Sequence, residues 1–275
     1  MASNHLIAPL PYYRQRHVLA IDSRNREDFA NTTPSHYIVK FPVFKNIKMV
    51  RMISSEIPNT QYVFQTGINN TFDLFTNFIS SGGAPAGTYT ITIAPGTYTG
   101  GELADEINNE LNIAMLVGFG IEFVATYITF SQKIQIDYAG ADPLARFRLL
   151  WATGPSIATS CAKELGYQPA ADTALAITSS STVPVFLSGE NYVYLCIKDM
   201  AGTRVTENIE DVFAKIIFNV PPRSITFDSF ASNEIVFPEP LPYLNRFEVT
   251  FRLHDGSEYN FNTIEHSFTI EMYTV

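Results

Sequence analysis

The sequence predicts a mainly β protein: a β-sandwich made from both ends of the chain, with a small α+β module inserted between them. Apolar and polar residues alternate over much of the chain, as in half-buried strands, and only one long segment has clear helical periodicity. Stretches of small residues at 80–87 and 168–182 bracket the region where the pattern changes. We therefore assign residues 35–79 and 183–275 to the sandwich and residues 80–182 to the inserted module.

The first 34 residues are predicted to form an extended arm. Residues 1–15 carry two prolines and two tyrosines without periodicity. His17–Ile21 is a short apolar run, and the DSRNREDFANTTP segment after it is hydrophilic and rich in turn formers. Two apolar strands follow, Tyr37–Phe41 and Ile47–Ile57, and the second ends at a Pro-Asn pair.

The inserted module is predicted to begin with the strictly alternating strand Thr88–Ile93. Thr99 and Glu102 then have the spacing of a capping box, which starts a helix. The apolar face of that helix consists of Leu103, Ile107 and Leu111. Further on we expect a hairpin of Glu122–Phe130 and Lys133–Tyr138, a strand at Arg146–Trp151, and a short helix at Thr159–Leu165 ended by Gly166.

The C-terminal part is predicted to be almost entirely strand. The expected strands are Tyr192–Ile197, Val212–Phe218, Ser224–Phe227, Phe247–Leu253 and a last one through Phe268, Ile270 and Met272. Asp255–Gly256 is a hairpin signal after the fourth of them. Five or six strands are few for a closed sandwich, so we expect the two N-terminal strands to complete the sheet. Two consecutive sandwiches are the alternative.

Composition favours a protein that hides surface against partners. Apolar residues make up 46% of the chain and charged residues 16%, whereas soluble domains have roughly 25% charged residues. A chain with so little charge and with 21 Phe and 14 Tyr buries a large core, covers apolar surface by association, or does both. Composition therefore favours an assembly component, although a large core alone would produce the same counts.

Charge is distributed unevenly along the chain. Residues 1–52 contain eight Lys and Arg and three acids, which gives them a net charge of +5. Since the whole chain has a net charge of −9, the remaining residues have a net charge of −14. Such polarity suits contacts between neighbouring subunits. No basic stripe recurs later, so no nucleic-acid partner is expected. The candidate partner-contacting residues lie in the arm: Tyr12, Tyr13, Arg14, Arg16, Arg24 and Arg26.

The cysteines and the apolar runs indicate a reducing compartment. Cys161 and Cys196 are far apart and stand among apolar neighbours, which favours free buried thiols over a disulfide. No apolar run approaches the roughly 18 residues of a membrane-spanning helix, and the N-terminus lacks a secretory signal pattern. We expect synthesis in the cytosol.

No catalytic, cofactor or metal motif is recognisable, so no site residue of these kinds and no cofactor is predicted. The five histidines have no metal-ligand spacing, and neither a nucleophile elbow nor a phosphate-binding loop is present. His254 adjoins the Asp-Gly turn, and His266 is expected to be a surface or interface histidine. A triad assembled across the fold would leave no such motif, which keeps a cryptic enzyme as a minor alternative.

Several segments resemble minor capsid and related virion proteins of nucleocytoplasmic large DNA viruses. The resemblance is carried by IDSRNRE, PSHYIVKFP and NIKMVRMISSEIPNTQYVF near the N-terminus, by APGTYTGGELADEINNELN and KELGY in the middle, and by FAKIIF and EPLPYLNRFEVTFRLHDGSEYNFNTIEHSFTIEMY at the C-terminus. It spans most of the chain. It implies a jelly-roll-like sandwich, no enzyme activity and a place in an icosahedral shell, made in the host cytoplasm.

The leading functional hypothesis is therefore a minor capsid protein that cements neighbouring capsomers. Its implied partners are the major capsid protein and other minor capsid proteins, with a homo-oligomer as an option; contact with an inner membrane has no support in the sequence. The alternatives are a penton protein at the vertices and a virion surface module that recognises a receptor.

Overall fold

The structure is a computed structural model and describes residues 15–77, 86–117, 120–203, 205, 209–228 and 234–275. The chain divides into two compact units. Unit 1 combines Met1–Gln61 with Glu190–Val275, and unit 2 is Tyr62–Gly189. Both ends of the chain thus share one unit. The described fold is mainly β with antiparallel sheets, as predicted.

Thirteen strands and one α-helix make up the regular structure of the described residues. The strands are β1 (Gln15–Asp22), β2 (His36–Asn59), β3 (Thr71–Thr76), β4 (Gly87–Thr92), β5 (Phe123–Ile128), β6 (Lys133–Tyr138), β7 (Phe147–Leu149), β8 (Thr178–Ser180), β9 (Tyr192–Ile197), β10 (Val212–Ile217), β11 (Ser224–Asp228), β12 (Ile235–Arg252) and β13 (Ser267–Thr274). The helix α1 (Gly100–Leu111) continues into a π-helical turn, Asn112–Val117.

Unit 1 is a seven-stranded antiparallel sheet in the order β1-β13-β2-β12-β9-β10, with β11 also paired to β2. The 24-residue β2 organises this sheet. Along one edge it pairs first with β12 and then with β11, and along the other it pairs with β13. Register shifts interrupt both the β12 and the β13 ladders, as expected where a long strand bends.

Among the described residues, unit 1 has two buried apolar clusters, and its sheet encloses the larger one. Ile270 and Met272 of β13 and Leu195 and Ile216 of β9 and β10 belong to the same buried cluster, although these strands lie far apart in the strand order. The sheet therefore closes over its own inner face as a β-sandwich. The paired strands β2 and β12 come from opposite ends of the chain.

The strand β1 falls within the segment that we predicted to be an arm. It pairs with β13 over eight residues, from Gln15↔Thr274 to Asp22↔Ser267. Ile21 is buried in the core, and Leu19 packs against it. The His17–Ile21 run is therefore the first strand of the sandwich, because its partner is the last strand of the chain and not a neighbour in sequence.

Unit 2 contains two three-stranded sheets, β4-β3-β7 and β5-β6-β8, with α1 packed against β5. The predicted capping box is present: the side chain of Thr99 accepts from the N–H of Glu102, and Glu102 accepts from the N–H of Thr99. The predicted apolar face of α1 is buried in a cluster that also contains Trp151. The predicted strand and hairpin correspond to β4 and to β5–β6.

The limits of the inserted unit differ from the expected 80 and 182. Phe72 and Leu74 of β3 are buried in the cluster of unit 2, so the unit begins at Tyr62. At the other end, the N–H of Val183 bonds to Gly166 O and that of Val185 to Gln132 O, so the chain leaves only after Gly189.

The short helix expected at Thr159–Leu165 is not formed. Ile157–Thr159 is a 3₁₀ turn, and the N–H of Cys161 donates to Thr71 O on β3 at 2.9 Å. Beyond it, the N–H of Leu165 donates to Cys161 O at 3.0 Å, so a single turn forms where the helix was expected.

Both cysteines are buried and free, as predicted. Burial raises the pKa of the Cys161 thiol, and it raises the pKa of Cys196 to about 11. Both thiols therefore stay protonated and poorly nucleophilic at neutral pH. In the part of the chain that the structure describes, no helix has the length and apolarity needed to cross a bilayer.

Candidate functional site

The described residues contain no cluster of His, Cys, Asp or Glu that could hold a metal ion. His254 lies at the surface, next to a turn in which Asp255 accepts bonds from the N–H and the hydroxyl of Ser257. This is the turn predicted from the Asp-Gly pair. Three surface features of the described residues could contact another polypeptide: a strand edge, an exposed pair of strand segments and a groove.

The open edge of β1 is the first such feature. β13 occupies one edge of β1 over its whole length, and no strand of the described ranges occupies the other. At the opposite end of the sheet the edge of β10 is partly covered, because the N–H groups of Gly202 and Thr203 both donate to Val212 O at 2.9 Å. Of these two edges, as far as the described residues show, the β1 edge is thus the longer free row of backbone donors and acceptors, the kind of edge that pairs with another chain.

Arg16, on the outer face of β1, binds a buried carboxylate of the neighbouring strand. Glu271 on β13 is on that face, yet its side chain is only 1% exposed, because Arg16 and Arg51 both bind it. Arg51 Nε donates to Glu271 Oε2 at 2.6 Å, and its Nη1 donates to Glu234 at 2.9 Å. Burial raises the pKa of Glu271, but the bonds from the two guanidinium groups outweigh this and lower it overall. Arg16 is thus a fixed part of the edge.

Arg24 is exposed and engaged with its own turn. Its Nε donates to both carboxylate oxygens of Asp22, at 2.9 and 3.0 Å, and its backbone N–H donates to the same side chain. These bonds lower the pKa of Asp22. The guanidinium remains on the surface, where a partner could reach it.

Arg26 does not fit the role predicted for it. Its side chain is buried, and its Nη1 donates to Ser23 O at 2.8 Å and to the two oxygens of Glu265 at 2.7 and 2.9 Å. The ring of Phe29 covers the guanidinium at 3.9 Å. Arg26 therefore ties the turn after β1 to the start of β13, and a partner could not contact it without breaking this cluster. Arg24 and Arg26 are two residues apart in the same hydrophilic segment, and only the fold shows that one is exposed and the other buried.

His266, which we expected to be a surface or interface histidine, is buried. Its Nε2 lies 2.9 Å from Pro34 O, and the rings of Tyr37, Phe251 and Phe261 surround it. Burial lowers the pKa of His266 to about 4. The neutral imidazole that results is part of the core that supports the β1 end, and it is unsuited to acid–base work at neutral pH.

Tyr12, Tyr13 and Arg14, the other predicted contact residues, lie outside the residues that the structure describes. Of the six candidates, β1 and its turn thus place Arg16 and Arg24 on one accessible edge and bury Arg26.

Sequence reasoning missed a second surface, which we call the ribbon: residues 40–46 of β2 and 236–246 of β12. It exposes Val43, Lys45 and Tyr243, and Tyr243 is 68% exposed. Lys45 and Tyr243 are directly paired across the two strands. Phe44 and Leu244 point to the core side. The signal in the sequence was PEPLPYL, whose alternating prolines are typical of an exposed edge rather than of a central strand.

A third surface, which we call the groove, lies near the other end of β2. It has a volume of about 270 Å³ and is lined by Asp22, Arg24, Glu56, Pro58, Ile225, Phe227, Glu265, His266 and Ser267. The strand registers explain its composition, since Asp22, Ser267, Glu56 and Phe227 form one row across β1, β13, β2 and β11. Phe227 is 69% exposed.

The chain is similar to proteins of a family of unknown function (DUF5901) over residues 13–145. No curated protein matches its sequence. Among solved structures, the mavirus penton protein superimposes with a TM-score of 0.46 at 8% identity, over 95% of this chain and 100% of that one. A chain of the Sputnik virophage superimposes with a TM-score of 0.43 at 10% identity, over 94% and 98%. With both TM-scores below 0.5, these two likenesses carry no functional inference.

Proposed function

We propose that this protein is a structural component of a virion shell that acts through protein–protein contacts and not through catalysis. The observation that carries the proposal is the open, eight-residue edge of β1, with Arg24 at its end. The resemblance of the N-terminal, middle and C-terminal segments to minor capsid proteins of large DNA viruses supports the virion setting.

The edge of β1 suits attachment by an added strand from a neighbour. Each backbone hydrogen bond of such a strand contributes about 0.5–1.5 kcal/mol net, so an eight-residue edge can supply a useful but reversible part of a contact. Val18 and Ala20 stand exposed on the outer face of β1, where an added strand and its side chains would cover them. The network around Glu271 keeps the edge in place before binding, which lowers the ordering cost of the contact.

The specific role that we propose is that of a minor capsid protein that cements capsomers, with the major capsid protein and other minor capsid proteins as partners. A penton at the vertices is the second candidate. The ribbon and the groove favour it, because a ring of identical copies needs two different complementary surfaces on each copy.

The test is incorporation into particles by variants of the edge. Val18→Lys combined with Ala20→Lys places two charges on the face that a neighbour would cover and should strongly reduce incorporation while the chain stays folded. Ile217→Lys on β10 is the matched control, since Ile217 is also an exposed strand residue of unit 1. Normal incorporation of the β1 variant would overturn the proposed role of the edge.

Three further measurements test the predicted contact residues and distinguish the alternative roles. Removing residues 1–14, which include Tyr12, Tyr13 and Arg14, should reduce incorporation if these residues contact partners. Chemical labelling of intact particles should leave a cementing protein protected, whereas a receptor-binding module would be labelled. Localisation at the vertices alone would favour the penton over the cementing role.

A further inference from the structure

The ribbon and the groove differ in charge as well as in position. In the ribbon, Lys45 and Arg246 have no ion-pair partner among the described residues. Arg246 lies directly opposite Lys40, and like charges facing each other across two strands are unfavourable. Lys40 itself pairs with Glu27. A carboxylate from another molecule would therefore be favoured here.

The groove has the complementary character. Glu56 is exposed and accepts a bond from the Ser267 hydroxyl, with no cation beside it in the part of the chain described. Asp22 and Glu265 add two carboxylates that Arg24 and Arg26 balance. An uncompensated acid thus stands next to an apolar patch.

That patch consists of Pro58, Ile225 and Phe227. Phe227 is paired with Glu56 and Ile225 with Pro58, so the apolar side chains and the acid occupy adjacent positions on two strands. At about 270 Å³ the groove is smaller than typical small-molecule pockets of roughly 300–1,000 Å³, and its size suits one or two protruding side chains.

Both surfaces belong to unit 1 and lie toward opposite ends of the same strand. The ribbon contains residues 40–46 of β2, and the groove contains Glu56 and Pro58 of β2. Two different surfaces at opposite ends of one element cannot satisfy each other within one copy, but they can do so between copies.

We infer that the ribbon of one copy docks into the groove of a second copy, with Lys45 facing Glu56 and Tyr243 packing on Phe227 and Ile225. Because the contact is heterologous, an open chain of copies has a free ribbon at one end and a free groove at the other until a ring closes. It would exist whether or not the virion proposal is correct, because the purified chain alone is enough to form it.

The first test is the oligomeric state of the purified full chain by sedimentation equilibrium. The wild type should associate with a dissociation constant in about the micromolar range. Tyr243→Ser with Lys45→Ser removes the ribbon, and Phe227→Ser with Glu56→Ser removes the groove; each variant alone should be monomeric. Ile217→Ser is the control and should associate as the wild type does. A wild type that stays monomeric up to about 0.5 mM would contradict the inference.

Mixing the two variants separates a heterologous contact from a symmetric one. The ribbon-deficient copy retains its groove and the groove-deficient copy retains its ribbon, so an equimolar mixture should form 1:1 dimers and nothing larger. A symmetric contact would leave the mixture monomeric, and this result would refute the head-to-tail arrangement.

Charge reversal tests the ion pair itself. Lys45→Glu and Glu56→Lys should each weaken association at least tenfold, and the chain that carries both changes should recover most of it. No recovery in the double variant would rule out this pairing. Circular dichroism of every variant checks that unit 1 remains folded.

Discussion

At the scale of single residues, two buried ionisable groups hold the open edge of the sandwich. Glu271 lies on the outer face of the sheet and is buried beneath Arg16 and Arg51. His266 lies on the inner side and fixes the chain at Pro34. A carboxylate that binds two guanidinium groups stays charged, whereas an imidazole surrounded by aromatic rings stays neutral. The position of the edge thus depends on one group that must keep its charge and one that must remain neutral.

His266 should make unit 1 sensitive to moderate acid. Its pKa is lowered to about 4 by burial, against 6.5 in an unfolded chain, even though Glu265 and Asp22 nearby raise it and Arg26 lowers it further. Between these values the unfolded state binds the additional proton, so stability is present at neutral pH and falls as the pH drops from about 6.5 to 4. From pH 7.5 to pH 5 the loss should be about 2 kcal/mol.

The measurement is pulsed alkylation of the buried thiols in denaturant at the two pH values. Cys196 reports unit 1 and Cys161 reports unit 2, so each core is followed separately. In His266→Gln the loss between pH 7.5 and pH 5 should largely disappear for Cys196, whereas exposed His254→Gln should leave it unchanged. An unaltered pH dependence in His266→Gln would assign the effect to another group.

At the scale of elements, the local segments that fold as predicted are those whose hydrogen-bond partners are near in sequence. The capping box of α1 and the β5–β6 hairpin are complete within a few residues. The short helix forms only as separate turns, and β1 escapes detection because its partner is β13. Helix caps and hairpin turns are local chemistry, whereas strand pairing is decided by the competition of all strands.

The turn at Gly166 is a place where backbone conformation should limit substitution. Gly166 has φ +77°, and a Cβ there would lie 2.3 Å from Val183 O. Gly166→Ala should therefore destabilise unit 2 by more than about 1 kcal/mol. Gly101→Ala in α1 is the matched control, since a Cβ there meets nothing within 4 Å, and it should be neutral or stabilise by up to about 1 kcal/mol. Denaturation followed by Trp151 fluorescence reports this unit, and equal effects of the two changes would contradict the explanation.

At the scale of the whole molecule, the chain builds two separate cores. The buried clusters of unit 1 and unit 2 share no residue, and the single tryptophan belongs to unit 2. Unit 2 is inserted between β2 and β9, which both pair with β12 in unit 1, so its two ends return close together. The structure shows this closeness, since a Cβ at Gly189 would lie 3.5 Å from Val63.

Each unit should therefore fold when the other is removed. A fragment of residues 62–189 should fold alone, with a cooperative denaturation transition and a buried Trp151, because every member of its core lies within it. A chain in which a short Gly-Ser linker replaces residues 62–189 should keep Cys196 protected from alkylation. A fragment without a cooperative transition would show that the two cores depend on each other.

The sequence by itself determined the β-rich class, the helix with its cap and the free buried thiols. Each of these follows from alternation, composition or chemistry within a few residues. Only the tertiary structure decided that β1 is the outermost strand, that Arg26 is buried while Arg24 is exposed, and that a groove and a ribbon lie toward opposite ends of β2. These features depend on the register between strands more than 150 residues apart, and no local pattern specifies such a register.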